Sequence, residues 1–548
     1  MSLPRNQILL FALSLSPAAI AQEGGSASEL WATSFAKLSA EQCEVLDDTN
    51  GDGIDDWITS LTDEGVWVRS GLDGSPLYSL TPPVLGSGFG IMSVALNDLD
   101  GDGIRDFVVG APTEGALTAD GACYLYSGAD GSLIRRDAAF SSDRRFGQVV
   151  SNAGDVDGDG FEDYLTMEEG YPVRGDATIH VVSGATGTSI RMHRDRNYWY
   201  FADGLEGLGD VDQDGFGDYL MLVKRVLTPG QPYSHEAMVI SGATGAALYT
   251  YDNTHPRDRE LGRGSRTGDV NQDGYADFLL HHGFPFSGER DGLWVYSGLD
   301  GSPMMPLVYA NGFFTNVQQR GMLSSAAGDV DGDGHPDILV ATTVLRHLGF
   351  LSYGWVYLHS GATGRPLWVH RGPRSMTSST FGLTAEAGDF DGDGKAEILM
   401  TGLQADDAGP WVETWDYQSH LLVDKHEVST LNGDIATFTL DFGATHANKD
   451  YMILMSGRIS NPFVRGVPIP LSRGSRLEAS ALGVYPFTSH FGLHGTLDGL
   501  GQGQATFLIA PGYAWGILGE TYWFSAVAMT AGQLPEASSV ALPILFDF

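Results

Sequence analysis

The sequence predicts an all-β fold assembled from tandem repeats, and three observations carry that expectation. First, 548 residues are too many for one ordinary hydrophobic core, while 73 glycines, 11% aromatic and 18% charged residues describe turns and short strands better than solvated helices. Second, one nine-residue acidic pattern recurs seven times, its starts separated by 50, 57, 55, 59, 60 and 60 residues. Third, an apolar run of strand length follows each copy, as at Phe107-Val108-Val109 and Ile338-Leu339-Val340.

The pattern has Asp or Asn at positions 1, 3 and 5, Gly at position 6 and a carboxylate at position 9. This spacing suits Ca2+, which takes six to eight hard oxygens, here from alternate side chains on a tightly curled loop. Gly at position 6 permits a left-handed turn, and position 7 can offer its carbonyl. The expected ligands of loop 1 are Asp48, Asn50, Asp52 and Asp56 with the carbonyl of Ile54, and those of loop 2 are Asp98, Asp100, Asp102 and Asp106 with Ile104. Loop 3 offers Asp155, Asp157, Asp159 and Asp163 with Phe161, and loop 4 Asp210, Asp212, Asp214 and Asp218 with Phe216. Loop 5 offers Asp269, Asn271, Asp273 and Asp277 with Tyr275. Loop 6 offers Asp329, Asp331, Asp333 and Asp337 with His335, and loop 7 Asp389, Asp391, Asp393 and Glu397 with Lys395. Up to seven Ca2+ are therefore expected.

A second strand ending in a Ser-Gly turn follows the apolar run, as in Tyr124-Leu125-Tyr126-Ser127-Gly128, and a short further strand comes after it. Each unit thus reads strand, acidic loop, strand, loop, strand, Ser-Gly turn, strand. That is a four-stranded antiparallel sheet, which cannot bury both faces alone and stacks radially with its neighbours. The expectation is a seven-bladed β-propeller over residues 31–424. The seventh unit departs from the pattern, with Trp415-Asp416-Tyr417-Gln418 in place of the Ser-Gly turn. Beyond Lys425 the acidic pattern stops and alternation such as Phe438-Thr439-Leu440-Asp441-Phe442 predicts a β-sandwich-like domain over residues 425–548.

Over residues 31–424 the chain resembles the FG-GAP, or VCBS-type, repeats of the integrin α-subunit propeller and of many secreted bacterial proteins. The resemblance rests on the loops, on Phe89-Gly90, Phe146-Gly147 and Phe381-Gly382 before them, and on Gly110-Ala111-Pro112 after the second. It implies a calcium-rigidified propeller used for adhesion or recognition and only occasionally attached to catalysis.

Arg5, the apolar run from Ile8 to Leu15 and the small residues Ala19-Ile20-Ala21 have the layout of a signal peptide over residues 1–21, with a linker over 22–30. The apolar run is short of the ~20 residues that span a bilayer, so a secreted or cell-surface protein without a transmembrane segment in its mature form is expected. The fold is not expected to depend on pairing of Cys43 with Cys123. A formal charge of −38 excludes nucleic acid as a partner, since phosphate binding needs a basic surface. Much of that acid is ligand charge, because 26 of the 69 Asp and Glu residues stand in the seven loops.

Arginines gather instead in the spans between repeats, which hold Arg144, Arg145, Arg194, Arg196, Arg257, Arg259, Arg371 and Arg374, with Arg135, Arg136 and Arg191 nearby. Tyr198 and Trp199 lie beside them. Arginine captures carboxylate or sulfate in a bidentate manner and exposed rings stack on sugars, so an anionic polysaccharide or protein partner is expected on this face. The competing reading has these arginines neutralising carboxylates of neighbouring sheets. No G-x-S-x-G elbow, H-E-x-x-H helix, C-x-x-C pair or Walker loop occurs, and no catalytic residue is assigned. Two alternatives stay open: a secreted polysaccharide-degrading lyase or hydrolase built from loops of several repeats, and a structural component of an extracellular matrix or surface layer.

Overall fold

The protein is described by a computed structural model, which covers residues 28–34, 42–115, 120–140, 144–168, 177–194, 198–200, 204–225, 234–252, 261–282, 292–307, 318–330, 334–345, 352–364, 366–371, 380–392, 396–403, 410–416, 421–423, 427–429, 431–442, 446–456, 463–464, 467–468, 489–491, 493–511, 520–529, 535–538 and 542–547. The predicted signal peptide and most of the linker lie outside these residues. The named elements are all β-strands, and among the described residues no helix is long and apolar enough to cross a membrane.

The repeats form seven sheets, each antiparallel throughout. Sheet 1 runs through Gln42–Val45, Trp57–Leu61, Gly65–Arg69 and Pro76–Leu80, and sheet 2 through Ser93–Ala95, Phe107–Ala111, Ala122–Tyr126 and Leu133–Ala138. Sheet 3 comprises Val150–Gly154, Asp163–Glu168, Thr178–Val182 and Ser189–Arg194. Sheet 4 comprises Leu205–Gly209, Asp218–Arg225, Ser234–Ile240 and Ala247–Asp252. Sheet 5 has Leu261–Gly268, Asp277–His282, Gly292–Tyr296 and Pro303–Pro306, and sheet 6 has Gln318–Gly328, Asp337–Leu345, Ser352–His359 and Pro366–Arg371. In each of these six the acidic loop joins the first strand to the second, as the sequence pattern implies.

Two features were not anticipated. In sheet 4 the segment Tyr198–Tyr200, expected in a ligand-face loop, is a short strand paired with Lys224 and Arg225. Sheet 7 consists of Thr380–Gly388, Glu397–Leu403 and Pro410–Asp416 and is completed by Ser28–Ser34, which begins inside the segment read as linker. That N-terminal strand runs antiparallel to Pro410–Asp416, with Ser34 opposite Trp411 and Ser28 opposite Asp416. It supplies the fourth strand that the missing Ser-Gly turn leaves unmade.

Burial follows the sequence pattern. The second strands Trp57–Leu61, Phe107–Ala111 and Asp163–Glu168 are buried at every position, including the polar Thr59, Ser60, Thr166 and Glu168. The fourth strands Pro76–Leu80, Leu133–Ala138 and Ser189–Arg194 are largely exposed. Apolar side chains pack between each consecutive pair of sheets. Ile58 and Val68 share a cluster with Phe107 and Tyr124, Val108 with Tyr164, Leu165 with Tyr219, Leu220 with Phe278, and Leu279 with Ile338. Leu339 of sheet 6 shares a cluster with Ile398 of sheet 7, and Leu399 of sheet 7 shares one with Cys43 and Trp57 of sheet 1. The first strands likewise touch in order from Gln42–Val45 through to Thr380–Gly388, which returns to Gln42–Val45. Cys43 and Cys123 are buried thiols on sheets 1 and 2, so this packing rests on no disulfide between them.

Among the described residues the C-terminal region forms two larger sheets and a two-stranded one of Phe463–Val464 and Val467–Pro468. One larger sheet is ordered Leu421–Val423, Asp434–Asp441, Gln502–Ile509, Ser489–Phe491, and the other Glu427–Ser429, Leu542–Asp547, Glu520–Met529, Asp450–Ser456, His494–Thr496, with Pro535–Ser538 on Glu520–Met529. Rings from both meet, with Phe524 lying 5.2 Å from Phe438 and 5.8 Å from Phe507. Strand Leu542–Asp547 also touches Pro366–Arg371 of sheet 6.

Candidate metal centres

Each acidic loop is curled by its own carboxylates. In loop 3, Asp155 Oδ1 accepts from the N–H groups of Gly158 at 2.7 Å and Asp159 at 3.1 Å, and Oδ2 accepts from Gly160 at 2.9 Å. Asp159 Oδ1 accepts from Phe161 N–H at 2.9 Å. Loops 1 and 2 repeat this arrangement around Asp48 and Asp98. The curl needs left-handed backbone at position 6, where Gly160 has φ 92°, and also at position 4, where Gly158 has φ 77°. The position 4 requirement was not read from the sequence, although Gly stands there in five of the seven copies. In loops 4 and 5 the residue is Gln213 or Gln272, each held at φ 60°.

The position 9 carboxylate has a second task that sequence reasoning missed. Asp163 is buried, and while Oδ2 accepts from Val156 N–H at 2.8 Å, Oδ1 accepts from the N–H of Gly184 in the Ser-Gly turn at 3.0 Å. The same bond ties Asp56 to Gly71, Asp106 to Gly128, Asp218 to Gly242, Asp277 to Gly298 and Asp337 to Gly361, at 2.8 to 3.2 Å. Close approach explains the glycine: a Cβ on Gly184 would stand 2.0 Å from the carbonyl oxygen of Glu162, and one on Gly128 1.9 Å from that of Arg105. Only glycine lets the turn seat against position 8 of its own loop.

In four loops the carboxylates of positions 1, 3 and 9 converge to within 4.8 Å of one another: Asp98, Asp100 and Asp106; Asp155, Asp157 and Asp163; Asp210, Asp212 and Asp218; and Asp389, Asp391 and Glu397. The position 5 side chains Asp102, Asp159 and Asp214 are not in these clusters and accept from the position 7 N–H. Loops 1 and 5 carry an amide at position 3, where Asn50 faces Asp56 at 3.3 Å and Asn271 faces Asp273 at 2.9 Å. In loop 6 Asp331 and Asp333, and in loop 7 Asp393 and Lys395, lie outside the described residues.

The donor set fits a hard divalent cation. Three carboxylates, one of them buried, face one another, and the backbone carbonyl of position 7 belongs to the same turn. Burial, and then repulsion from the neighbouring loop aspartates, pushes Asp163 up to about 7 and Asp106, Asp218 and Asp277 up to about 6. A bound cation would relieve both causes. The metal-free fold should respond to pH accordingly. A carboxylate whose folded pKa is raised stabilises the fold below its unfolded value near 3.8, and that contribution is lost as pH climbs through the folded value. In chelator, the urea midpoint is therefore expected to fall between about pH 5 and about pH 8; a midpoint that rises over this range would contradict the assignment.

The described arginines of the expected ligand face are engaged within the chain. Arg135 bonds Asp137 at 2.7 Å and the Ser183 carbonyl at 3.2 Å, Arg136 bonds Glu114 at 2.5 Å, and Arg191 donates to the Gly242 carbonyl at 2.7 Å. Arg144 lies 3.9 Å from buried Glu168 and bonds Thr178 at 3.2 Å. Arg145 adopts φ 50°, and Arg194 is exposed at the end of its strand. Tyr198, Trp199 and Arg371 belong to strands, while Arg196, Arg257, Arg259 and Arg374 lie outside the described residues. The carboxylates that Arg135 and Arg136 meet belong to their own sheet, and what Arg135 and Arg191 reach in the next sheet is backbone carbonyl, so these bonds differ from the neutralisation of neighbouring sheets in the competing reading.

Repeated antiparallel sheets, six of them carrying an acidic loop pinned to a Ser-Gly turn, define a β-repeat protein with candidate cation sites. A family model described as an FG-GAP repeat matches residues 91–126, and one described as an FG-GAP-like repeat matches residues 329–400. Among curated proteins, integrin alpha pat-2 of Caenorhabditis elegans is 24% identical over 209 residues, covering 34% of this chain. The match spans 17% of that relative's length. Residues 91–126 and 329–400 thus match FG-GAP-type repeats, and the chain is integrin-α-like over the 209 residues that align.

Proposed function

We propose that this chain is an exported, calcium-binding recognition or adhesion module: a seven-bladed β-propeller over about residues 28–416, followed by a β-sandwich. The observation that carries the propeller is the unbroken cycle of contacts among the seven first strands, each touching the next and the last touching the first. Packing of Phe438, Phe507 and Phe524 across two sheets supports the sandwich. Its strands begin at Leu421, slightly before the boundary expected from the sequence.

Ca2+ is the cation of choice because every side-chain donor is an oxygen and most are carboxylates. The chain's own residues would bind and orient it through positions 1, 3 and 9, with the position 7 carbonyl beside them. When bound, Ca2+ supplies charge neutralisation and a rigid cross-link, which suits a scaffold that presents a surface to a partner. The FG-GAP repeats favour an extracellular partner, and the inter-repeat face favours an anionic one. Arg194 is exposed at the end of its strand, and partner capture should depend on it.

The deciding experiment is capture of the mature chain on acidic polysaccharides and extracellular matrix proteins, in millimolar calcium and in chelator, with the supernatant analysed for shortened sugars. Calcium-dependent capture without cleavage is expected, and Arg194→Ser should weaken it while leaving the melting profile intact. Cleavage products would replace this reading with the enzyme, and self-association without capture would replace it with the structural component.

A further inference from the structure

Neighbouring loops are bonded to one another, and two of these bonds use a residue that costs backbone strain. Gln213, at position 4 of loop 4, donates from Nε2 to the carbonyl of Gly274, at position 6 of loop 5. Gln272, at position 4 of loop 5, donates to the carbonyl of Gly334, at position 6 of loop 6, at 2.7 Å. In loop 6, the His335 ring returns through Nδ1 to the carbonyl of Val270 in loop 5 at 2.6 Å. Both glutamines sit at φ 60°, a conformation glycine adopts freely and a residue with a β-carbon resists.

The carbonyl each glutamine grips belongs to the peptide that joins positions 6 and 7. Position 7 is also tied down within its own loop, where Tyr275 N–H bonds Asp273 Oδ1 at 2.9 Å. Fixing this peptide from outside anchors the N-terminal side of position 7, whose own carbonyl lies on the following peptide. That carbonyl is the one backbone donor expected for the cation.

Backbone bonds link other neighbours. Gly217 N–H in loop 4 donates to the Asp155 carbonyl in loop 3 at 2.7 Å, and Asp55 N–H in loop 1 donates to the Asp389 carbonyl in loop 7 at 2.9 Å. Glu162 N–H in loop 3 bonds Asn97, which precedes loop 2, at 2.9 Å.

From these contacts we infer that the loops do not fill independently: Gln213 and Gln272 are positioning residues for the cation site of the following repeat, and binding in one loop raises affinity in the next. The inference rests on the calcium reading above. A loop ordered by its own cation holds its position 4 glutamine in place, and that glutamine pre-orders the next loop. By linkage the coupling runs in both directions.

The test exploits what other repeats already do. Glycine stands at position 4 in the remaining five loops, so Gln213→Gly keeps a conformation the fold tolerates while deleting the bridge. Terbium luminescence sensitised by Tyr275, at position 7 of loop 5, reports that loop; the part of the signal lost in Tyr275→Phe is assigned to it. In the full mature chain, Gln213→Gly is expected to weaken terbium binding at loop 5 roughly five-fold, the equivalent of one hydrogen bond. Gln213→Gly with Gln272→Gly is expected to lower the Hill coefficient of the calcium titration toward one. Unchanged loop 5 affinity and an unchanged Hill coefficient would overturn the coupling and leave the calcium reading standing. Failure of the parent chain to bind either ion would overturn both.

Discussion

In excess chelator the melting midpoint of the folded chain falls by on the order of 10 °C, and added calcium restores it. The size follows from linkage: a cation that binds only the folded state contributes about 2.7 kcal/mol per site when free metal stands at about 100 times its Kd. The four three-carboxylate clusters alone would then contribute about 11 kcal/mol at saturation. Spread over the large unfolding enthalpy of a chain this long, that becomes a shift in midpoint of the stated order. Without the cation the same clusters oppose folding, because buried Asp163 and its neighbours repel one another. Differential scanning calorimetry with and without chelator checks this, and a midpoint that ignores both chelator and calcium would remove the basis for metal-dependent rigidity.

The second large effect belongs to a glycine. Gly184→Ala brings a Cβ to 2.0 Å from the Glu162 carbonyl oxygen, a contact with backbone that no rotamer can relieve. Either the Ser-Gly turn lifts away or the loop yields, and both break the bond from Gly184 N–H to Asp163. The expected cost is about 3 kcal/mol or more, at the upper end for overpacking, together with weaker cation binding in loop 3. Gly499→Ala, where a Cβ meets nothing within 4 Å, serves as the control and should change stability by less than about 0.5 kcal/mol. Urea denaturation of the two variants in calcium checks the pair; equal midpoints would show that the turn does not brace the loop.

The acidic loops were legible because their chemistry is local: ligands, turn and spacing fall within nine residues. The strand after each loop was legible for the same reason, as an uninterrupted apolar run. What escaped notice depends on contacts between distant segments. Nothing near Gly184 in the sequence signals that a carbonyl 22 positions earlier lies against its Cα. Gln213 resembles a simple departure from the glycine found elsewhere until its bond to the following loop is seen. The arginine spans were read by residue count as a partner-binding face, with neutralisation of neighbouring carboxylates as the alternative, whereas Arg135 and Arg191 stand on fourth strands and reach carbonyls in the Ser-Gly turns of the next sheet. Ser28–Ser34 carries no repeat motif, so only its pairing reveals where it belongs.

That pairing sets a timetable for biosynthesis. The edge that Ser28–Ser34 must join lies at Pro410–Asp416, so this strand waits for a partner made about 380 residues later. At roughly 5 to 20 residues per second, the interval is about 20 to 80 s. Throughout it Ser28–Ser34 has no sheet to join, and the chain cannot complete its final arrangement. A closure step that requires both ends of the described repeat array holds the final arrangement back until nearly all of that array has been made.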